Sequence, residues 1–212
     1  MDTKNLKGAD VIIMGGGILG CAIAYFLSRM QAGKVVLLER RMLAEANTSR
    51  AAGLLTQART MPVLSSLVRE PYLSVQEIEE ALGESLDLRR VGSLHVAVAG
   101  KEQQKLKTLE ETAAGLGVRT ERLKPEAAMG LVPWLKLASG AAVLFTPQDA
   151  FADGYSLAQA YAKAARANGA TLLQNRAVKS IRLSNGAVKG VLTSEGELSG
   201  AVVIDAAGIW AW

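Results

Sequence analysis

Gly15, Gly17 and Gly20 stand at the spacing G-x-G-x-x-G, directly after the apolar run Val11-Ile12-Ile13-Met14. Glycines so placed do a particular kind of chemistry. Gly15 permits a tight turn, Gly17 removes a side chain that would block a pyrophosphate, and Gly20 lets the following helix pack closely on the strand. The helix start then offers backbone N–H groups to phosphate oxygens. A carboxylate completes the pattern: Glu39 lies nineteen positions after Gly20, where an acidic side chain meets the ribose hydroxyls of a dinucleotide.

The elements around these residues have the right order to position them. Ala22 to Met30 continues as an apolar helix closed by Gly33, and Val35-Val36-Leu37-Leu38 reads as a second buried strand ending at Glu39. The small residues of Asn47-Thr48-Ser49-Arg50-Ala51-Ala52-Gly53-Leu54-Leu55 suit close approach to a ligand, although Thr48 or Ser49 would serve equally as the cap of a helix beginning at Arg50. Helical spacing from Leu64 to Leu82 ends at Gly83, and Arg90 to Val98 alternates as a strand. Lys101 to Leu116 reads as an exposed helix, while Lys124-Pro125-Glu126 and Val132-Pro133-Trp134 read as loops. After Asp153-Gly154 comes a periodic helix, Tyr155 to Asn168, ended by Gly169. Strands follow over 170–174, 177–183 and 187–193, with Ser184-Asn185-Gly186 as a hairpin signal between the last two. Ala201 to Gly208 is a final apolar strand expected to rejoin the first sheet.

Composition narrows the function classes. At 212 residues and 50% hydrophobic the chain can bury a substantial core, and its net charge of +4 is scattered, with no basic cluster longer than a pair such as Arg40-Arg41, so no nucleic-acid partner is expected. Lys4 and Lys7 before the apolar stretch from Val11 to Leu27 outline a signal or membrane segment, but three consecutive glycines disfavour such a helix, and no transmembrane segment is expected. The single cysteine, Cys21, cannot form an internal disulfide and reads as a small buried residue; cytoplasm, or the cytoplasmic face of a membrane, is the expected location. His95 is the sole histidine, in a strand with no second ligand type near it, so it reads as a half-buried structural residue and no metal site is expected.

The order and spacing of these segments resemble the flavin-dependent amino acid and amine oxidoreductases of the D-amino acid oxidase superfamily, especially the glycine oxidase and sarcosine oxidase branch. The anchors are Gly15, Gly17, Gly20 and Glu39, then Thr48 to Leu54, then Asp149 to Tyr155, then Val202 to Trp210. The resemblance implies FAD, with Gly15, Gly17, Ile18, Leu19, Gly20, Glu39 and Arg40 at its pyrophosphate and ribose. It places Thr48, Ser49, Ala52, Gly53 and Leu54 beside the pyrophosphate, ribityl chain and ring, Val178 by the adenine, and Ala206, Ala207, Gly208 and Trp210 in the segment that closes over the cofactor. Sarcosine and dimethylglycine dehydrogenases carry a flavin-linking histidine before Ala-Ala-Gly, and Arg50 stands there instead, so the resemblance implies non-covalent FAD. Arg50 is then placed either near the ring, favouring reduced flavin, or at a phosphate or in solvent.

The fold implied is α/β: a Rossmann-like FAD-binding domain with a β-meander and an inserted, incomplete α+β substrate domain. Its expected segments are 1–85 and 147–212 for the FAD-binding domain and 86–146 for the substrate domain. The activity implied is oxidation of the C–N bond of an amino acid or secondary amine by hydride transfer to flavin. Two alternatives remain at this point: an FAD-dependent glycerol 3-phosphate or 2-hydroxy acid dehydrogenase, and a non-catalytic FAD-binding subunit that needs a partner chain. Family members continue beyond the Gly-x-Trp segment, so the chain is expected to be partial and to pair with itself or with a complementary chain. No residue here is assigned to catalysis.

Overall fold

The computed structural model describes residues 8–211, apart from the side chains of Ser66, Arg69 and Pro71; Lys4 and Lys7 of the signal-like outline lie outside the described residues. The chain divides into two compact units, one of residues 1–52 with 153–212 and the other of Gly53–Ala152.

The first unit is built on a six-stranded sheet. Its strands are β1 (Gly8–Met14), β2 (Val35–Leu38), β8 (Thr171–Leu173), β9 (Val178–Ser184), β10 (Ala187–Thr193) and β11 (Gly196–Asp205), in the order β8-β2-β1-β11-β10-β9. Strands β8, β2, β1 and β11 run parallel, and β11, β10 and β9 form an antiparallel meander. The continuous apolar runs of β1 and β2 follow from burial on both faces, as parallel strands require. On one face α1 (Ile18–Arg29) and α5 (Gly154–Ala167) pack against each other, with the Tyr25 and Tyr161 rings 5.8 Å apart. On the other, Ile12, Val36, Leu38 and Leu173 share a core with Val191 and Leu198 of the meander. Asn185 and Gly186, with φ of 52° and 75°, make the tight turn between β9 and β10 that their sequence signals.

The second unit holds β3 (Leu54–Leu55), α2 (Pro62–Leu82), β4 (Ser93–Ala97), α3 (Gly100–Gly115), β5 (Glu121–Leu123), α4 (Pro125–Leu131), β6 (Ala142–Thr146) and β7 (Ala150–Phe151). The sheet β4-β6-β5 is antiparallel, and β3 pairs with β7. Its core joins Ala58, Ala97, Leu106, Leu109, Ala113, Val118 and Leu144. Asp149, almost fully buried, ties three segments together: its carboxylate accepts the Gln57 N–H at 2.8 Å and the Ser93 hydroxyl at 2.5 Å, and its carbonyl accepts the Gly92 N–H at 2.8 Å.

Two details depart from the sequence pattern. The units divide at Ala52/Gly53 and Ala152/Asp153, not at 85/86 and 146/147, because Ala58 enters the inner core and β3 finds its partner in β7. Lys124-Pro125-Glu126 is not a plain loop: Lys124 caps α4 and Pro125 opens it, since a helix's first position needs no N–H partner.

Candidate functional site

At the C-terminal ends of β1, β2 and β11 the first unit opens into a cleft of about 520 Å³, within the size range of small-molecule and cofactor sites. Neighbours β2 and β11 leave opposite sides of β1 there, the position at which open parallel sheets bind their ligands. Met14, Leu38 and Asp205, the last residues of these strands, all line it.

The glycine turn is shaped by what its neighbours occupy. Gly15 has φ of 106°, and a side chain there would meet the Ala206 carbonyl oxygen at 2.5 Å and the Ala207 Cα at 2.9 Å. A Cβ on Gly20 would strike the carbonyl oxygen of Gly15, so α1 lies against the turn only because Gly20 has none. The Ala206 N–H donates to the Met14 carbonyl at 2.8 Å and the Ala207 N–H to the Asp205 carboxylate at 2.9 Å, which folds Ala206-Ala207-Gly208 against the end of β1.

The first turn of α1 carries no acidic residue, and Gly17 at its cap has no side chain with which to close it. Thr48 supplies the missing group from 30 residues away: its hydroxyl oxygen accepts the Ile18 N–H at 3.0 Å. Thr48 also lines the cleft. Thr48 is held there because α5 starts at Gly154, where a Cβ would sit 2.5 Å from the Thr48 carbonyl oxygen.

Glu39 is fixed by its backbone and by its carboxylate. Its N–H donates to Leu173 and its carbonyl accepts from Arg176, both at 2.8 Å. One carboxylate oxygen accepts the Gly16 N–H at 2.7 Å, the other the Arg41 N–H at 2.9 Å. Each oxygen keeps lone pairs, which is what a ribose diol requires. The Arg40 guanidinium lies 4.2 Å from the centroid of the Trp210 ring. Cys21 is buried behind the turn, its thiol donating to the Gly16 carbonyl at 3.5 Å, and burial pushes its pKa up to about 12.

Of the residues expected at this site, Gly15, Gly17, Ile18, Leu19, Glu39, Arg40, Thr48, Arg50, Val178, Ala206, Ala207, Gly208 and Trp210 line the cleft together. The others sit elsewhere. Gly20 packs under the turn. Ser49 donates its hydroxyl to the Glu45 and Ala46 carbonyls, closing its own turn. Ala52 is exposed and outside the lining, and Gly53 and Leu54 open the second unit. Sequence reasoning missed Asp205, Lys179, Ser180 and Ile181, which also line the cleft; for the last three the adjacency to Val178 on β9 was the available signal.

The glycine cradle, the open helix start and the fixed carboxylate fit the pyrophosphate and ribose of a dinucleotide. The family model described as "DAO: FAD dependent oxidoreductase" matches residues 10–212. The chain belongs to this family. Among its relatives, mouse sarcosine dehydrogenase is 31% identical over 96% of the chain, and the mouse pyruvate dehydrogenase phosphatase regulatory subunit 30% identical over 96%. The structure of L-proline dehydrogenase from P. horikoshii superposes with a TM-score of 0.89 at 26% identity, over 96% of this chain and 54% of that one. The chain spans 23% of the length of both mouse proteins. The superposition supports the α/β architecture, and FAD is the cofactor of this family. Among the described residues no helix is long and apolar enough to cross a membrane.

Proposed function

We propose that the chain binds FAD non-covalently in this cleft and provides the cofactor half of an enzyme that oxidises the C–N bond of a small amino acid or secondary amine. The observation that carries this reading is the coincidence of the glycine turn, Glu39 and the Thr48-capped helix start in one cleft of a chain that belongs to the family over residues 10–212. Gly15 to Ile18 and the start of α1 would hold the pyrophosphate, Glu39 the adenosine ribose, and Val178 the adenine edge, with Ala206 to Gly208 closing the turn. Bound FAD supplies the hydride acceptor, and the chain's share is position and electrostatics. Arg50 lines the cleft where a covalently linking histidine would otherwise stand, which supports dissociable cofactor.

The unit Gly53–Ala152 is proposed as part of the substrate domain. A reducing compartment such as the cytoplasm is the proposed location. A second reading, a non-catalytic FAD-binding subunit, is favoured by the similarity to a regulatory subunit.

The test is the visible spectrum of the purified chain before and after acid precipitation. Yellow protein that releases FAD supports the first reading, and bleaching by sarcosine, proline or glycine without oxygen then supports the enzyme. Bound FAD that no amine bleaches favours the second reading, and failure to take up added FAD refutes both.

A further inference from the structure

Arg40 and Trp210 reach each other from opposite banks of the cleft. Arg40 lies two residues beyond the end of β2, Trp210 ends the short 3₁₀ turn after β11, and β1 separates those two strands in the sheet. Yet the guanidinium carbon of Arg40 lies 4.2 Å from the Trp210 ring centroid, and both residues line the cleft. The contact therefore joins the segments that follow β2 and β11 within the cleft lining.

The chemistry of the stack leaves Arg40 with unused donors. A guanidinium stacked on a ring presents its face and keeps its N–H edge in the plane, free for a bidentate anion. Among the described residues no carboxylate pairs with Arg40. Its neighbour Glu39 has its oxygens on the Gly16 and Arg41 N–H groups, and Glu45 pairs with Arg41 at 3.7 Å. The cleft itself is built for an anion, because the positive end of α1 opens into it with no acidic residue in its first turn.

We propose that Arg40 and Trp210 form a clasp across the cleft, in which Trp210 is a positioning residue that presents the Arg40 guanidinium to the phosphate oxygens of a bound dinucleotide. The inference rests on the FAD reading of the same cleft and goes beyond it in the role it gives the tryptophan, which holds a cation and does not itself stack on the ligand. Long arginine side chains lose much rotamer freedom when they engage an anion, and a ring that fixes the side chain beforehand lowers that loss.

The experiment titrates the full chain with FAD and separately with ADP, which has the pyrophosphate and lacks the flavin. Protein and flavin fluorescence are followed at low and high salt. Four variants are compared: Trp210→Ala, Trp210→Phe, Arg40→Met and the double variant Trp210→Ala/Arg40→Met. Trp210→Ala and Arg40→Met should each weaken both ligands about 2- to 30-fold. The double variant should be no weaker than Arg40→Met alone, because the ring acts through the cation. Trp210→Phe should restore most of the affinity, and the salt dependence should fall in Arg40→Met but persist in Trp210→Ala, which keeps the charge.

Additive losses in the double variant overturn the clasp and give the ring a direct ligand contact, and unchanged salt dependence in Arg40→Met overturns the contact of Arg40 with the phosphates. Unchanged affinity in Trp210→Ala overturns it too, while leaving the FAD reading intact. A parent chain that binds neither FAD nor ADP overturns both. Trp210 is 37% exposed and already holds Arg40 without ligand, so Trp210→Ala should lower unliganded melting while Arg40→Met changes it less, and affinities are compared at a temperature where every variant is folded. If Trp210→Ala nevertheless fails to fold, the salt dependence of Arg40→Met against Trp210→Phe decides.

Discussion

Replacing Thr48 by valine isolates the contribution of a helix cap supplied from thirty residues away. Valine has nearly the same shape, so the substitution leaves no cavity and removes only the oxygen that accepts the Ile18 N–H at 3.0 Å. Thr48 is buried, at 9% exposure, and Ile18 is half-buried, so little water reaches the orphaned donor. Loss of a side-chain cap costs about 1 kcal/mol, with a range of about 0.5–2. In a chain of this length that lowers the melting temperature by about 2–4 °C per kcal/mol. Serine at the same position keeps the oxygen and should stay within about 1 °C of the parent, at the low end of what a cap substitution costs. The assay is thermal unfolding of the three chains without FAD, followed by FAD titration, in which Thr48→Val should bind more weakly because a polar group lining the cleft is gone. Equal melting temperatures for Thr48→Val and the parent would refute the cap, and so would a Thr48→Ser chain as unstable as Thr48→Val.

Gly20→Ala places a methyl on the carbonyl oxygen of Gly15, so α1 must move; a loss of about 1–3 kcal/mol and of co-purifying FAD is expected, and a yellow Gly20→Ala protein of parental stability would contradict the close approach. Cys21, with its thiol pushed up to about 12 by burial, should resist iodoacetamide at pH 8 until the chain unfolds, and rapid labelling of the native protein would show the thiol to be accessible. Asp149→Ala leaves the Gln57 N–H and the Ser93 hydroxyl without their acceptor and should cost about 2 kcal/mol or more in denaturant unfolding, whereas Asp149→Asn, which can serve both partners, should cost less. Burial holds the His95 imidazole below its ordinary value, with the Asp149 charge opposing and Arg59 assisting, so the fold favours the neutral ring. Its contribution to stability is full above about pH 6.5 and is lost as pH falls through the depressed value; His95→Gln should flatten that acid limb, and an unchanged limb would assign it to carboxylates.

How much of this was written in the sequence differs from one residue to the next. The glycine turn, the helix after it, Glu39 and the return of the last strand to β1 were all legible, because each rests on local chemistry. Glycine at a position of positive φ, an apolar run buried on two faces and a carboxylate at a strand end leave marks at fixed spacing. The run from Thr48 to Leu54 was legible as a ligand-approaching segment only in part. Thr48 and Arg50 reach the cleft, while Ser49 turns back on the Glu45 and Ala46 carbonyls and Gly53 starts the other unit.

The sequence by itself determined the glycine turn on which the FAD reading rests, since backbone can approach this closely only where a side chain is missing. Only the tertiary structure decided which distant groups complete that chemistry. Thr48 caps α1 because Gly154 lets α5 press against its carbonyl, Arg40 meets Trp210 because β2 and β11 flank β1, and the unit boundary falls at Gly53 because two-residue β3 pairs with β7. Contacts of that kind depend on how segments far apart in the chain are brought together, and no periodicity within a segment records them.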